Sequence, residues 1–365
     1  MSPSATQPDP PEMSVAEAVD RYLAKRQTDS TARTLRSYRS RLELFAQWAE
    51  KNGIERVGDL TPWHIDTYDL TQRESGAAPT TIKSRLSTVK MLLEYCASIG
   101  AVDDDLAESI DVPNLDRAEE QSEERLAPED AVAALSFFRD SRAYYGRPMH
   151  AFLELAWHTG ARVGSIRGMD LPDYHPDEQY VEVVHRPSTG TPLKNKGQGE
   201  RRIGLSDAVC DVLDTYIDRE RWDQRDEHGR EPLFCARQGR PSFTTLRAWS
   251  YRATQPCLWT ECPHGRHPDT CEWTERTHVS KCPSSRSPHR IRTGSITWQL
   301  NRGLDIELVG ERVNASPSVI RKHYDQATDA EEFEERRRAA ETALDVDDSD
   351  DEDDQEDDHS EDDSA

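Results

Sequence analysis

The stretch SPHRIRTGS (residues 287–295) sets His289 and Arg292 three positions apart, and HTGARVGSIRG (residues 158–168) sets Arg162 just after a Gly turn at the start of a helix. Side chains three apart share a helix face. Arginine guanidinium groups stay charged at any working pH and bind phosphate oxygens through a fixed fork. Together the two stretches make best sense as halves of one phosphate-grasping site. Downstream, VIRKHYD (residues 319–325) carries Tyr324. A tyrosine, with a reference pKa of about 10, attacks poorly unless nearby cations favour its phenolate.

Between these pieces, YVEVVH (residues 180–185) alternates as a strand does and RRIGL (residues 201–205) reads as a second strand. The Gly- and Lys-rich residues between them predict a hairpin tip bearing Lys194 and Lys196, either of which could protonate a departing oxygen. Upstream, RTLRSYRSRLELFAQW (residues 33–48) places Tyr38, Leu42, Phe45 and Ala49 on one helical stripe, with Arg33, Arg36, Arg39 and Arg41 largely off it. TTIKSRLSTVKMLLEYC (residues 80–96) repeats the arrangement, with Lys83, Arg85 and Lys90 beside its stripe. Four helices with basic outer faces over residues 13–113 could grip a DNA backbone; an amphipathic bundle with a solvated arginine face is the plainer reading. Ser and Thr before each run are expected N-caps, and Asn52-Gly53 and Gly76 are expected helix ends.

The order TGARVGSIRG, then KNKGQGER (residues 194–201), then HRIR (residues 289–292), then a Tyr resembles the tyrosine recombinase (phage integrase) family, and the resemblance extends over most of the chain. It implies a mainly α fold with a small β-hairpin or sheet, built as a two-domain clamp. One part is a helical core-binding domain and the other an α+β catalytic domain. It further implies Arg162 as first catalytic arginine, Lys196 as hairpin lysine, His289 and Arg292 as the second-box pair, and Tyr324 as nucleophile. Arg33, Arg36, Arg39, Lys83, Arg85 and Lys194 are the expected DNA contacts. The partner implied is double-stranded DNA, bound by a homo-tetramer that can be a monomer when free; no nucleotide, no membrane and no catalytic cofactor are expected. The chain departs from the family in three places. The hairpin reads KNKGQGER where a second Lys often follows, so Lys194 is an alternative to Lys196. Ser165 stands where an acidic residue usually supports the first arginine, and Asn314-Ala315 stand near the third-box His or Trp. These departures keep two alternatives in view: a catalytically decayed, zinc-containing DNA-binding regulator of the same fold, and a nicking-closing enzyme.

Domain bounds follow from composition. Residues 1–12, rich in Pro and Ser, are expected to be disordered, 114–127 to be a polar linker, and 128–344 to form the catalytic domain. FEERRRAAETAL (residues 333–344) reads as an amphipathic helix that docks either on a neighbouring subunit or on its own domain. Residues 345–365 are acidic and expected to be disordered, serving solubility or competing with DNA for the basic faces. Four of the seven cysteines fall in an insert, residues 257–282. Cys262, His264, Cys271 and Cys282 offer soft ligands suited to a tetrahedral, structural Zn²⁺, with Cys257, His267 or His278 able to replace one of them. Free thiols and a disulfide are the alternatives, the latter disfavoured in a reduced compartment.

The formal net charge of −24 argues against a nucleic-acid partner at first sight. The segment from Asp345 onward holds 14 Asp/Glu and no Lys or Arg, so the remainder carries −24 + 14 = −10. An acidic excess on an arginine-rich body reads as a protein of a salt-loaded cytoplasm, or as an ordinary one with an acidic tail. At high salt the gain from counterion release shrinks, which favours fixed arginine forks over a diffuse basic surface. No run of roughly 18 apolar residues is present to span a membrane, and the N-terminal residues lack the basic-then-apolar order of a signal peptide.

Overall fold

The computed structural model describes residues 9–115, 124–324 and 337, and divides into two compact units between Glu123 and Glu124. The structure is mostly helical with one small antiparallel sheet.

The first unit is a bundle of α1 (Val15–Lys25), α2 (Ala32–Lys51), α3 (Pro62–Glu74) and α4 (Pro79–Ser98). The predicted stripes face inward: Leu42, Phe45 and Ala49 are buried with Ile82, Leu86, Val89, Leu93 and Cys96, and Tyr38 packs at their edge. Ser14 caps α1 in a reciprocal pair with Glu17, and Thr31 caps α2 by accepting from the Thr34 amide. The cap expected for α4 is absent; that helix opens on Ala78 and Pro79, whose missing amide hydrogen needs no partner at a first turn. Residues 9–12, read as disordered, instead end in a turn, Pro10–Glu12. It is held by the Val57 amide donating to the Met13 carbonyl at 2.7 Å and by Glu12 pairing with Arg56 at 3.0 Å.

The second unit centres on α6 (Pro148–Thr159), buried on almost every side and flanked by α5 (Pro128–Asp140). It ends at Gly160, whose φ of +58° and close approach to Val313, Ser295 and Gln299 leave no room for a Cβ. The next helix, α7 (Val163–Gly168), begins directly after Arg162. A three-stranded sheet follows: β1 (Tyr174–His175), β2 (Tyr180–Val183) and β3 (Arg201–Gly204), with Val181 opposite Ile203. The connection from β2 to β3 is longer than a hairpin tip, with turns at Pro187–Thr189 and Lys196–Gly199 and a bridge between Arg186 and Thr191.

Then come α8 (Asp207–Arg219) and α9 (Phe243–Ala253), a helix the sequence reading missed. Ser206 occupies the start of α8 without donating or accepting a cap bond. The last elements are α10 (Pro288–Asn301), α11 (Ile306–Val313) and α12 (Pro317–Tyr324). Ile296, Val309, Val313 and Ile320 form a separate small core that fastens α11 and α12 onto α10. Gly294 lets α10 lie against the segment 124–127: a Cβ there would meet the Leu126 carbonyl and the Trp157 ring. Residues 333–344, apart from Arg337, and the acidic segment 345–365 lie outside the described residues. No helix among the described residues is long and apolar enough to cross a membrane.

Candidate phosphate-binding site

Three arginines converge on the C-terminal end of α11. A helix leaves its last carbonyls without intrahelical partners, and the helix dipole makes that end negative. Here three successive carbonyls are taken by three different side chains. Arg201 Nε donates to the Arg312 carbonyl at 2.6 Å, Arg292 Nη1 to the Val313 carbonyl at 2.8 Å, and Arg162 Nη1 to the Asn314 carbonyl at 2.8 Å. Arg292 also reaches back to the Gly160 carbonyl, and Arg201 to that of Gly199. The Gly turn at 160 and the end of α11 thus jointly orient residues that lie far apart in sequence. Asn314 serves as the left-handed cap of α11 (φ +52°, ψ +64°), a conformation that Asn tolerates better than most residues.

These guanidiniums meet carbonyls but no carboxylate among the described residues. Elsewhere in this domain arginines are held in both ways: Arg167, Arg221 and Arg312 also donate only to carbonyl or amide oxygens, whereas others meet carboxylates. Buried Arg240 pairs with Asp170 and Asp226, Arg230 with Asp170, and Arg186 with Asp173. Burial, and the like charges of Arg162 and Arg201, push the Arg292 guanidinium down to about 9. Burial and Arg162 push Arg201 down to about 10, while burial also lowers Arg162. Arg292 and Arg201 thus stay cationic at neutral pH, and a guanidinium such as that of Arg162 is charged at any working pH. Uncompensated buried charge costs several kcal/mol per ion. A cluster of it is an arrangement awaiting an anion.

The remaining predicted residues stand around this cluster. His289 is exposed on the first turn of α10, one turn before Arg292, which is only 7% exposed. Lys194 and Lys196 are exposed, and Lys196 holds a left-handed backbone (φ +52°) at the start of its turn. That turn is fastened from both sides by Asn314: its Oδ1 accepts from Asn195 Nδ2, and its Nδ2 donates to the Gln198 carbonyl at 2.9 Å. The Asn314 amide is therefore spent on the lysine loop. Ser165 is buried, and the support of Arg162 comes from the Asn314 carbonyl rather than from an acid one turn on. Tyr324 is the last described residue of α12, one turn beyond buried Ile320; its side chain lies outside the described residues. Arg201, seen in sequence only as the start of a strand, is the member of the cluster that sequence reasoning missed.

In the first unit, Arg33, Arg36 and Arg39 are exposed along α2, and Lys83 and Arg85 half-buried along α4. Arg36 has no bonding partner among the described residues, whereas Arg39 pairs with Asp20 at 2.9 Å and Arg85 donates to Gln72 Oε1. A cleft of about 360 Å³ between α2 and α4 is lined by Ser40, Arg41, Leu44, Thr80, Thr81, Ser84 and Arg85. Hydroxyl groups beside arginines suit phosphate oxygens.

Cys96, Cys210 and Cys235 are buried thiols, as read. In the insert, Cys262, Cys271 and Cys282 each open a turn closed by a backbone bond three residues on, from Gly265, Thr274 and Ser285 at 3.0 to 3.1 Å. The Cys262 and Cys271 turns meet at Trp273. Gln255 Nε2 donates to its carbonyl at 2.7 Å, and the His264 ring stands edge-on to it at 5.6 Å. Burial, then the Cys262, Cys282 and Cys271 thiols, raise the Cys257 thiol. His264 is engaged elsewhere, its Nε2 lying 3.0 Å from Ser284 Oγ. Among the described residues no three His, Cys, Asp or Glu side chains stand in a position to hold a metal ion, so Cys262, His264, Cys271 and Cys282 do not form the expected set as they are placed.

Comparison with known proteins decides what this architecture is. The profile described as phage integrase, N-terminal SAM-like domain, matches residues 19–99, and the profile of the phage integrase family matches residues 124–255. The chain belongs to the tyrosine recombinase (phage integrase) family. The family match ends two residues before Cys257, so it stops short of His289, Arg292 and Tyr324. Among curated relatives, the tyrosine recombinase XerC of Roseiflexus sp. (strain RS-1) is 23% identical over 330 residues, 89% of this chain and 94% of that protein. The N-terminal domain of a phage integrase/site-specific recombinase from Haloarcula marismortui is 44% identical over 28% of this chain and 99% of that one, with a TM-score of 0.28. The Tn1549 transposon integrase, solved with a circular-intermediate DNA, shares the fold. It has a TM-score of 0.64 at 16% identity, covering 89% of this chain and 99% of that one.

If Asn314 fastens the lysine loop, Asn314→Gly keeps the left-handed cap but frees the loop. Hydrogen exchange should then quicken by about tenfold at the amides of residues 195–199, matching the loss of one or two hydrogen bonds. Asn314→Ala should in addition be roughly 1 kcal/mol less stable than Asn314→Gly in chemical denaturation, from the left-handed strain. Unchanged exchange in both would show that the loop is held by something else.

Proposed function

We propose that the protein is a site-specific DNA recombinase that cuts and rejoins strands through a 3′-phosphotyrosyl link. The observation that carries this is the carboxylate-free arginine cluster of Arg162, Arg201 and Arg292. A phosphodiester supplies the missing negative charge, and a pentavalent transition state gathers more of it on the equatorial oxygens, where arginine forks bind best.

In this reading the Tyr324 phenol oxygen forms a bond to phosphorus and the bond to the 5′ oxygen breaks. His289 takes part in moving the phenol proton, and Lys196, with Lys194 as alternative, gives a proton to the departing 5′ oxygen. The phosphoryl group is thereby transferred from one oxygen to another without loss of a high-energy bond. The freed 5′ hydroxyl attacks the partner strand's link in reverse, so no nucleotide is consumed. The integrase–DNA complex that shares this fold supports double-stranded DNA as the partner, with α2 and α4 contributing Arg33, Arg36, Arg39, Lys83 and Arg85. A homo-tetramer on DNA, a cytoplasmic location and adaptation to high salt belong to the same reading.

The insert is assigned a structural role. A zinc site there would need Cys257, in place of His264, to close with Cys262, Cys271 and Cys282 into a four-thiol set that these residues do not form as placed. Thiolate ligands favour Zn²⁺, which when bound would fold a segment with little apolar content of its own. It would steady the start of α10, and hence His289 and Arg292, without entering the chemistry.

Two measurements check these readings. Incubated with a nicked suicide duplex carrying its site at high salt, the wild type should trap DNA covalently, while Tyr324→Phe should bind equally and trap none. Binding without trapping by the wild type would instead favour a DNA-binding regulator. Protein purified without chelator should contain one zinc per chain, and Cys257→Ser should lose it together with several degrees of thermal stability. Metal-free protein with the four thiols paired as disulfides would contradict the zinc assignment.

A further inference from the structure

We propose that Arg201 is a third phosphate-binding arginine of the site, contacting the same scissile phosphate as Arg162 and Arg292. The proposal rests on the recombinase reading and extends it to a residue that no motif pointed to.

The carbonyls of Arg312, Val313 and Asn314 are consecutive along one chain, with successive Cα atoms about 3.8 Å apart. Each accepts from a different arginine, so Arg201 is held in the same small volume as Arg292 and Arg162. The charges of Arg162 and Arg201 both depress the Arg292 guanidinium, as they would only at close quarters.

Orientation follows. The Arg201 Nε and Nη1 atoms are fixed by the Arg312 and Gly199 carbonyls, while its Nη2 has no partner among the described residues. Two carbonyls thus lock the plane of the guanidinium and leave one edge for a ligand. Its neighbour in sequence behaves differently: Arg202 is exposed and pairs with Glu182 at 2.6 Å. Arginines that brace this domain do so through carboxylates, as Arg186, Arg230 and Arg240 do, or through carbonyls alone, as Arg167 and Arg221 do; Arg201 differs from the latter in standing beside two further guanidiniums.

A gap in the site also calls for it. Asn314 stands near where another donor is expected, but its amide is used by Asn195 and Gln198. Arg201 lies one residue past Glu200, at the end of the loop bearing Lys196. It is therefore placed to couple the position of that loop to the bound phosphate.

The competing role is that of a strut between β3 and α11, and a neutral phosphate analogue separates the two. Suicide duplexes are prepared with either the natural scissile phosphate or a methylphosphonate, in which a methyl group replaces one charged oxygen. Covalent trapping is then timed for wild type, Arg201→Gln and Arg201→Lys, alongside duplex affinity. Losing one transition-state donor costs about 100-fold or more in rate. Arg201→Gln should show such a loss on the phosphate, bind duplex nearly as wild type does, and fall within about tenfold of wild type on the methylphosphonate.

Arg201→Lys keeps the charge but not the fork, and its deficit should be smaller and shrink in the same way. If Arg201→Gln does not fold, the Arg201→Lys comparison decides alone. An equal deficit on both substrates, or none on either, overturns the proposal. Failure of the wild type to trap either substrate overturns the strand-transfer reading, and this proposal with it.

Discussion

The site depends on one constraint: three guanidinium groups are held beside one another by the unpaired carbonyl end of a single short helix. Like charges a few ångströms apart repel, and burial raises that cost. The repulsion is tolerated because the carbonyls of Arg312, Val313 and Asn314 and the dipole of α11 present negative potential from one side. Carbonyls orient arginines without neutralising them. A carboxylate in their place would fix the geometry equally well and occupy the position the phosphate needs. The contrast with Asp170, which is ringed by Arg186, Arg230 and Arg240, shows the two uses of arginine side by side in one domain.

Much of the surrounding fold exists to place that helix end. Gly160 allows α6 to stop against α10 and α11, and its own carbonyl becomes a second anchor for Arg292. The small core of Ile296, Val309, Val313 and Ile320 binds α11 and α12 to the helix carrying His289 and Arg292. Asn314 then links this assembly to the Lys196 loop, so a cation on an exposed turn is coordinated with arginines in the interior. The cysteine-bearing insert reaches the same helix from its N-terminal side. Thr254 and Arg286 are joined across it, with the Arg286 amide donating to Thr254 Oγ1 at 2.7 Å and Arg286 Nε to the Arg125 carbonyl.

How much of this could be read from sequence follows the range of the interactions. The stripes of α2 and α4, the stop at Gly160 and the pairing of β2 with β3 rest on local periodicity and turn chemistry, and they were legible. Arg162 and Arg292 were legible because a Gly turn and a three-residue spacing mark them. Arg201 was not, because its role depends on a carbonyl 111 residues away in sequence. Asn314 could be noticed as an unusual residue, but its left-handed backbone and its ties to Asn195 and Gln198 exist only in the folded chain. The helix Phe243–Ala253 escaped notice since Leu246, Ser250 and Ala253 are its buried residues and two of the three are small. In the insert, the ring of His264 looked like a ligand by spacing, yet it is turned to Ser284 and Trp273.

The acidic composition also fits this picture. With a net charge of −24, the chain cannot attract DNA by its overall field, so recognition must rest on a few well-positioned cations. The most direct test is a structure of the protein on a duplex half-site. The account predicts one backbone phosphate within hydrogen-bonding distance, about 3 Å, of Arg162, Arg201 and Arg292 together. A phosphate bound elsewhere, with the three arginines still contacting only carbonyls, would contradict it.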